Sequence, residues 1–218
     1  MIKLPYIPRT PIQVSQRVVQ DIPEGAFVNL GVGRPVDIAN RLPPDREIIL
    51  HSENGILGIG PLATGDAIDS ELVSAGKQNI TLVPGGSIFH HGDSFAMIRG
   101  GHIDICVLGA FQVSAQGDLA NWRTLNHNAV PAVGGAMDLA LGAKQVFVVM
   151  DLLTKEGVSK IVPVCTYPLT GAKVVDRVYT DLATFAITPA GIQVVDMVEG
   201  LIHAELERMV GMPLLPCD

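Results

Sequence analysis

Cysteine is scarce in this chain, aromatic rings are few, and charge of either sign is sparse. The three cysteines, Cys106, Cys165 and Cys217, stand far apart. Their odd number and wide spacing give neither a disulfide framework nor a metal-ligand pattern, and no metal is expected. Cys106 sits inside the apolar run 103–108 and reads as a small buried hydrophobe. Lys and Arg total 15 against 22 Asp and Glu, a net charge of −7. Without a basic footprint to replace phosphate counterions, general nucleic-acid binding is excluded. No apolar stretch reaches the roughly 20 residues that span a bilayer. The N-terminal MIKLPYIPRTPIQ carries no apolar signal core. No membrane association is expected, and the expected location is cytoplasmic.

What is present is apolar and patterned. Hydrophobic residues make up 48% of 218 and charged ones 17%, which suits one compact domain, 1–218, with a real core. Short apolar runs alternate with helical stretches. This predicts an α/β class, with a mixed, largely parallel open sheet and flanking helices. Ile12, Val14, Val18 and Val19 predict a helix over 11–21. Strands are expected over 27–30, 47–51, 80–83, 103–108, 146–150, 161–164, 174–179, 184–187 and 192–195, and a closing helix over 200–210. The continuous run Val146–Met150 suits a strand covered on both faces. Beyond about residue 155 strands follow one another, with turn signals at Glu156-Gly157 and Pro189–Gly191, so an antiparallel or mixed region is expected there. His90 and His91, placed on a strand, would point to opposite faces and could not share a metal.

Glycine is the informative residue, with 23 copies gathered at Gly31/Gly33, Gly55/Gly58/Gly60, Gly85/Gly86, Gly100/Gly101 and Gly134/Gly135. Each pair taken singly needs only a turn. The stretch Ser52–Pro61 differs because a carboxylate is embedded in it. Glu53 follows a predicted strand and precedes three glycines. That order leaves the carboxylate at the C-terminal edge of a strand, where open α/β sheets hold ligands, with room beside it for a bulky one. Asn29, read alone, is a strand-end cap.

Ser52-Glu53-Asn54-Gly55-Ile56-Leu57-Gly58-Ile59-Gly60-Pro61 resembles the S-E-N-G-x-x-G-x-G-P signature of the β subunits of family I CoA-transferases. The resemblance continues, in family order, through Ser94–His102, Gly117–Trp122, Gly134–Leu139 and Pro168–Gly171. It implies a ping-pong reaction centred on Glu53. The glutamate attacks an acyl-CoA thioester to give a mixed anhydride, CoA thiolate then forms a glutamyl-CoA thioester, and an acceptor acid reverses the sequence. Such covalent catalysis needs an ionised nucleophile shielded from water, which Ile56, Leu57 and Ile59 suit. It also needs fixed donors for each oxyanion, one missing donor costing on the order of 10²–10³ in rate. The resemblance assigns these donors to the side-chain amide of Asn29 and the backbone N–H of Gly135. It assigns substrate and CoA contacts to Gly31, Gly33, Asn54, Gly55, Gly58 and Gly134, with Arg99. Coenzyme A enters as a substrate, and no tightly bound cofactor is expected.

Phe89–Phe95, Ala129–Gly135 and Cys165–Gly171 look like the 3-oxoadipate branch of the family, which implies CoA transfer from succinyl-CoA to 3-oxoadipate in the breakdown of aromatic compounds (the β-ketoadipate pathway). The 3-ketoacid (acetoacetate) branch, the alternative, usually has a Pro-Gly-Lys segment where Arg123-Thr124-Leu125-Asn126-His127-Asn128 stands here. A dicarboxylate acceptor needs a cation for its distal carboxylate. Arg34, Arg99 and Arg123 are candidates, as are His90 and His91 if charged. Arg34 also departs from the small or apolar residue usual at its place in the family. Trp122 is expected to be structural, near a subunit interface. The family pairs a glutamate-bearing β half with an α half, and this chain ends at Cys217-Asp218 without one. The resemblance therefore implies a separate α subunit, in a heterodimer or heterotetramer. Two other readings stay open. An acyl-CoA hydrolase would result if the acceptor site were lost. A non-catalytic binding subunit would have no use for Glu53 in an intact signature.

Overall fold

The computed structural model describes residues 5–125, 130, 131 and 133–217. The branch-distinguishing residues Asn126–Ala129 and Ala132 lie outside them. The elements in chain order are α1 (Pro11–Asp21), β1 (Phe27–Leu30), a 3-10 helix (Arg34–Arg41), β2 (Ile49–Ser52), β3 (Ile56–Leu62), a short 3-10 turn (Gly65–Ala67), β4 (Ile80–Ile88), α2 (His91–Arg99) and β5 (Ile105–Gly109). There follow β6 (Gln112–Ser114), β7 (Leu119–Ala120), α3 (Ala136–Gly142), β8 (Gln145–Val149), β9 (Ile161–Val162), β10 (Arg177–Tyr179), β11 (Ala183–Thr188), β12 (Gly191–Met197) and α4 (His203–Val210). The chain forms two compact units, one of Ser15–Gly109 and Gly135–Val146, the other of Met1–Val14, Ala110–Gly134 and Phe147–Asp218.

In the first unit the strands run in the order β5-β1-β2-β3-β4. β1 pairs in parallel with β5 and β2, and β3 pairs antiparallel with β2 and β4. Ile105, Cys106, Val107 and Leu108 of β5 are all buried, as a strand covered on both faces requires. Register places Asn29 beside His51 on one side and Cys106 on the other. In-register residues share a face, so this row meets the helices above it. The Cys106 thiol reaches the Leu139 carbonyl of α3, and His51 reaches Ser94 of α2. α2 and α3 approach so closely that a Cβ on Gly142 would lie 2.3 Å from the Ile98 carbonyl oxygen. Within this unit the end of α1 is supported from outside: Arg46 donates to the carbonyls of Val19 (2.9 Å) and of Ile22, the residue just past the helix.

The glycine-containing run after Glu53, for which no strand was expected, forms β3. His90 and His91 do not lie on a strand: His90 caps α2, its Nδ1 accepting from the Gly92 N–H at 3.0 Å, and His91 is the first helical residue. β4 also runs well past Val83, to Ile88.

In the second unit, residues 147–149 of β8 pair in parallel with β10. β10, β11 and β12 form an antiparallel meander whose β11–β12 turn falls at Pro189-Ala190. The far edge of β12 is covered by the C-terminal segment, the Val194 N–H donating to Leu215 O (3.0 Å) and the Leu215 N–H to Ile192 O (2.8 Å). That covering removes an open strand edge. A small sheet runs in the order β7-β6-β9. Beside it the Trp122 indole N–H donates to the Leu169 carbonyl at 3.1 Å and the Thr170 hydroxyl to Asn121 Oδ1 at 2.6 Å. Trp122 is thus a structural tie between the 117–122 and 168–171 blocks.

Candidate active site

β2 ends at Ser52 and the chain reverses at once into β3. The Gly55 N–H donates to the Ser52 carbonyl at 3.0 Å, and Ser52 pairs with Ile56. Glu53-Asn54-Gly55 is therefore a three-residue hairpin loop closed by a glycine, a common way to join antiparallel strands. Gly55 has φ 113°, and a Cβ on it would fall 2.2 Å from the Phe89 carbonyl oxygen. Asn54 secures the turn from outside, donating to the Val73 carbonyl at 2.7 Å. Glu53 thus sits at the tip of a rigid hairpin, at the C-terminal end of a strand.

Asn29 is fully buried near the end of the adjacent parallel strand. Its Nδ2 lies 3.1 Å from Glu53 Oε2 and 3.1 Å from His51 Nδ1. Two acceptors facing one another would repel, so the amide nitrogen faces the carboxylate. Among the described residues Glu53 Oε1 accepts no hydrogen bond, and Asn29 Oδ1 is buried without a partner. The two carboxylate oxygens are therefore distinguished, one held and one open. His51 Nε2 lies 2.9 Å from Ser94 Oγ, and burial pushes the imidazole down to about 4, so the ring is neutral at pH 7.

Gly135 immediately precedes α3. A Cβ on it would be 2.9 Å from Phe95 Cζ and 3.9 Å from Glu53 Cγ. Sequence residues 29, 53 and 135 are thus gathered in one place by three different elements. The other site candidates divide. The Gly31 N–H donates to the Val107 carbonyl at 2.8 Å, and a Cβ there would meet that oxygen at 2.9 Å, so its smallness serves strand packing. Gly58, at φ 82°, sits at a bulge where a Cβ would fall 2.9 Å from the Gly86 Cα. Gly33 and Gly134 face open space. Arg99 Nε pairs with Asp138 Oδ1 at 2.7 Å while the guanidinium lies 5.6 Å from the Phe95 ring centre, which ties α2 to α3 beside the site. His51 and Ser94 are the residues that sequence reasoning left without a role. The available signal was a histidine in an apolar strand two residues before the carboxylate. Among the described residues no cluster of His, Cys, Asp and Glu is arranged to hold a metal, and no helix is long and apolar enough to cross a membrane.

This arrangement offers a carboxylate with one open oxygen and a preset donor on the other, suited to nucleophilic attack on an activated acyl group. Residues 12–198 match the pattern of the coenzyme A transferase family. A 3-oxoadipate CoA-transferase subunit from Acinetobacter baylyi is 58% identical over 203 residues, covering 93% of this chain and 94% of that one. The Pseudomonas putida protein of the same description is also 58% identical, covering 93% and 95%. A probable succinyl-CoA:3-ketoacid coenzyme A transferase subunit from Bacillus subtilis is 47% identical, covering 88% of each chain. Among solved structures, an acyl-CoA transferase from Escherichia coli O157:H7 superposes with a TM-score of 0.73 at 19% identity, over 96% of this chain and 43% of that longer one. Glutaconate coenzyme A-transferase from Acidaminococcus fermentans gives 0.68 at 15% identity, over 98% and 90%. At such identities these two likenesses concern the fold, which is the mixed α/β arrangement described above. Site, fold and relatives lead to one conclusion: this chain belongs to the coenzyme A transferase family and is part of a CoA-transferring enzyme.

Proposed function

We propose that this chain is the glutamate-bearing subunit of a succinyl-CoA:3-oxoadipate CoA-transferase, acting together with a separate α subunit in the cytoplasm. The observation that carries the reading is the unequal treatment of the two Glu53 oxygens, Oε2 held by Asn29 at 3.1 Å and Oε1 accepting no hydrogen bond among the described residues. Oε1 attacks the thioester carbonyl of succinyl-CoA, the carbon–sulfur bond breaks, and CoA leaves as thiolate from a glutamyl–succinyl anhydride. The thiolate then attacks Glu53 Cδ. Negative charge develops on Oε2, where the Asn29 amide already waits, and succinate leaves with Oε1. The glutamyl-CoA thioester runs the same steps backward with 3-oxoadipate, giving 3-oxoadipyl-CoA and regenerating the carboxylate.

A donor placed before charge develops costs no reorganisation during the step. Gly135 is assigned the second donor through its N–H, and Gly33 and Gly134, which face open space, are assigned to the approach of CoA. Arg99 serves a substrate carboxylate only by exchanging its Asp138 partner. The acceptor follows the relatives: those at 58% identity are named for 3-oxoadipate and that at 47% for 3-ketoacids.

The test is steady-state kinetics of the assembled enzyme with succinyl-CoA and a panel of acceptors. Parallel double-reciprocal lines and a kcat/KM for 3-oxoadipate well above that for acetoacetate support the proposal. Preference for acetoacetate reassigns the substrate, and CoA release without any acceptor makes the enzyme a hydrolase.

A further inference from the structure

We propose that His51 is a positioning residue for the transfer reaction: it holds the Asn29 side-chain amide as a hydrogen-bond donor to Glu53, and Ser94 sets the tautomer that lets it do so. The inference rests on the roles given above to Glu53 and Asn29.

Asn29 Nδ2 has two protons and no lone pair to offer. With one proton directed to Glu53 Oε2, the other falls to His51, whose Nδ1 lies 3.1 Å away and whose backbone carbonyl oxygen, at 3.4 Å, is the longer contact. Nδ1 must therefore be bare and accepting. In a neutral imidazole the proton then resides on Nε2, which lies 2.9 Å from the hydroxyl oxygen of Ser94. Both His51 and Ser94 are buried, so water does not compete for either contact. Phe89 lies alongside the ring at 6.4 Å between centres and 19° between planes, limiting its rotation.

The amide is held from the nitrogen side alone, since Asn29 Oδ1 has no partner among the described residues. Its contact with Glu53 changes through the cycle, because the carboxylate becomes anhydride, then thioester, then carboxylate again. The contacts with His51 persist, Nδ1 at 3.1 Å being nearer than the backbone carbonyl oxygen at 3.4 Å. Without Nδ1 the amide keeps only its longer contact to the His51 carbonyl, and it turns over more readily to present its oxygen to the developing oxyanion, a repulsive arrangement in place of an attractive one. The β1–β2 register, which sets Asn29 beside His51, builds this support into the sheet.

The test compares variants of the complete, assembled enzyme. His51→Leu removes the acceptor and lowers kcat by on the order of 10²-fold, as a misplaced catalytic group does, with KM for succinyl-CoA little changed. His51→Asn returns an oxygen close to the position of Nδ1 and recovers most of that loss. In an Asn29→Ala background, His51→Leu causes no further loss, because the two act as one unit. Equal loss in both His51 variants, or full additivity with Asn29→Ala, overturns the inference. If Asn29→Ala itself leaves kcat unchanged, the underlying mechanism falls instead. Should the leucine variant not fold, ¹⁵N spectra of the unaltered enzyme decide: a bare Nδ1 and a protonated Nε2 on His51 are expected, and a protonated Nδ1 overturns the assignment.

Discussion

Gly135 lies directly against Phe95, so that a methyl group added to its Cα would come within 2.9 Å of the ring and 3.9 Å of Glu53 Cγ. The ring cannot simply retreat. His91 packs on it at 4.7 Å between centres and the Arg99 guanidinium lies 5.6 Å from its centre. Gly135 has φ −87°, which any residue adopts, so alanine there meets a purely steric obstacle. Gly135→Ala is expected to displace the 135 backbone from Glu53 and lower kcat by about 10²-fold. Adding Phe95→Leu to the same protein is expected to restore part of the loss, since neighbours in contact are not additive. Kinetics of the single and double variants check both statements.

Asn29→Ala is expected to lower kcat and kcat/KM together by on the order of 10²–10³, because on the proposed mechanism its donor meets the charge that builds on Oε2 during transfer. A rise in KM with kcat unchanged would instead make Asn29 a ground-state binding group.

Gly55→Ala attacks the hairpin rather than the chemistry. It combines φ 113° with a 2.2 Å approach to the Phe89 carbonyl oxygen, and backbone strain of this kind costs about 1–3 kcal/mol. The melting temperature is expected to fall by several degrees, about 2–4 °C for each kcal/mol in a chain of this size. Activity should fall with it, because Glu53 rides on the same turn. Differential scanning calorimetry beside an activity assay reads both.

His51 makes stability depend on pH in an unusual direction for histidine. Burial lowers its folded value from 6.5 to about 4, so the unfolded chain binds the proton more tightly. Stability from this group is fully present above about pH 6.5 and is lost as pH falls from there to about 4. The full loss is about 3 kcal/mol, at 1.36 kcal/mol per unit of pKa. Unfolding by urea at pH 7 and pH 4.5 is expected to give a difference that shrinks in His51→Asn. An unchanged difference would assign the acid sensitivity to other groups.

The strands written as unbroken apolar runs were legible in the sequence because burial on both faces leaves little choice of residue. β1, β5 and β8 lie within one or two residues of their expected places. β3 was not legible. Its two glycines and proline read as loop chemistry, yet Gly58 is what lets the strand bulge against Gly86, and Gly60 fits beside Thr81. α2 was hidden for a different reason: its cap is a histidine accepting a backbone N–H, outside the usual Ser, Thr, Asp and Asn. Glu53, Asn29 and Gly135, which the family resemblance singled out, are brought together by the geometry. His51 was not legible, because its significance comes from the β1–β2 register, and register depends on which strands become neighbours.

Glu53 as the covalent nucleophile is tested most directly by trapping. The chain, assembled with its α partner, is mixed with succinyl-CoA without acceptor, quenched with borohydride or hydroxylamine, digested, and its peptides weighed. The expected result is a mass change confined to the peptide containing Glu53, which an activated Glu53 carboxyl, as thioester or anhydride, produces. An unmodified Glu53 peptide from a mixture that still transfers CoA would contradict the account and place the nucleophile elsewhere.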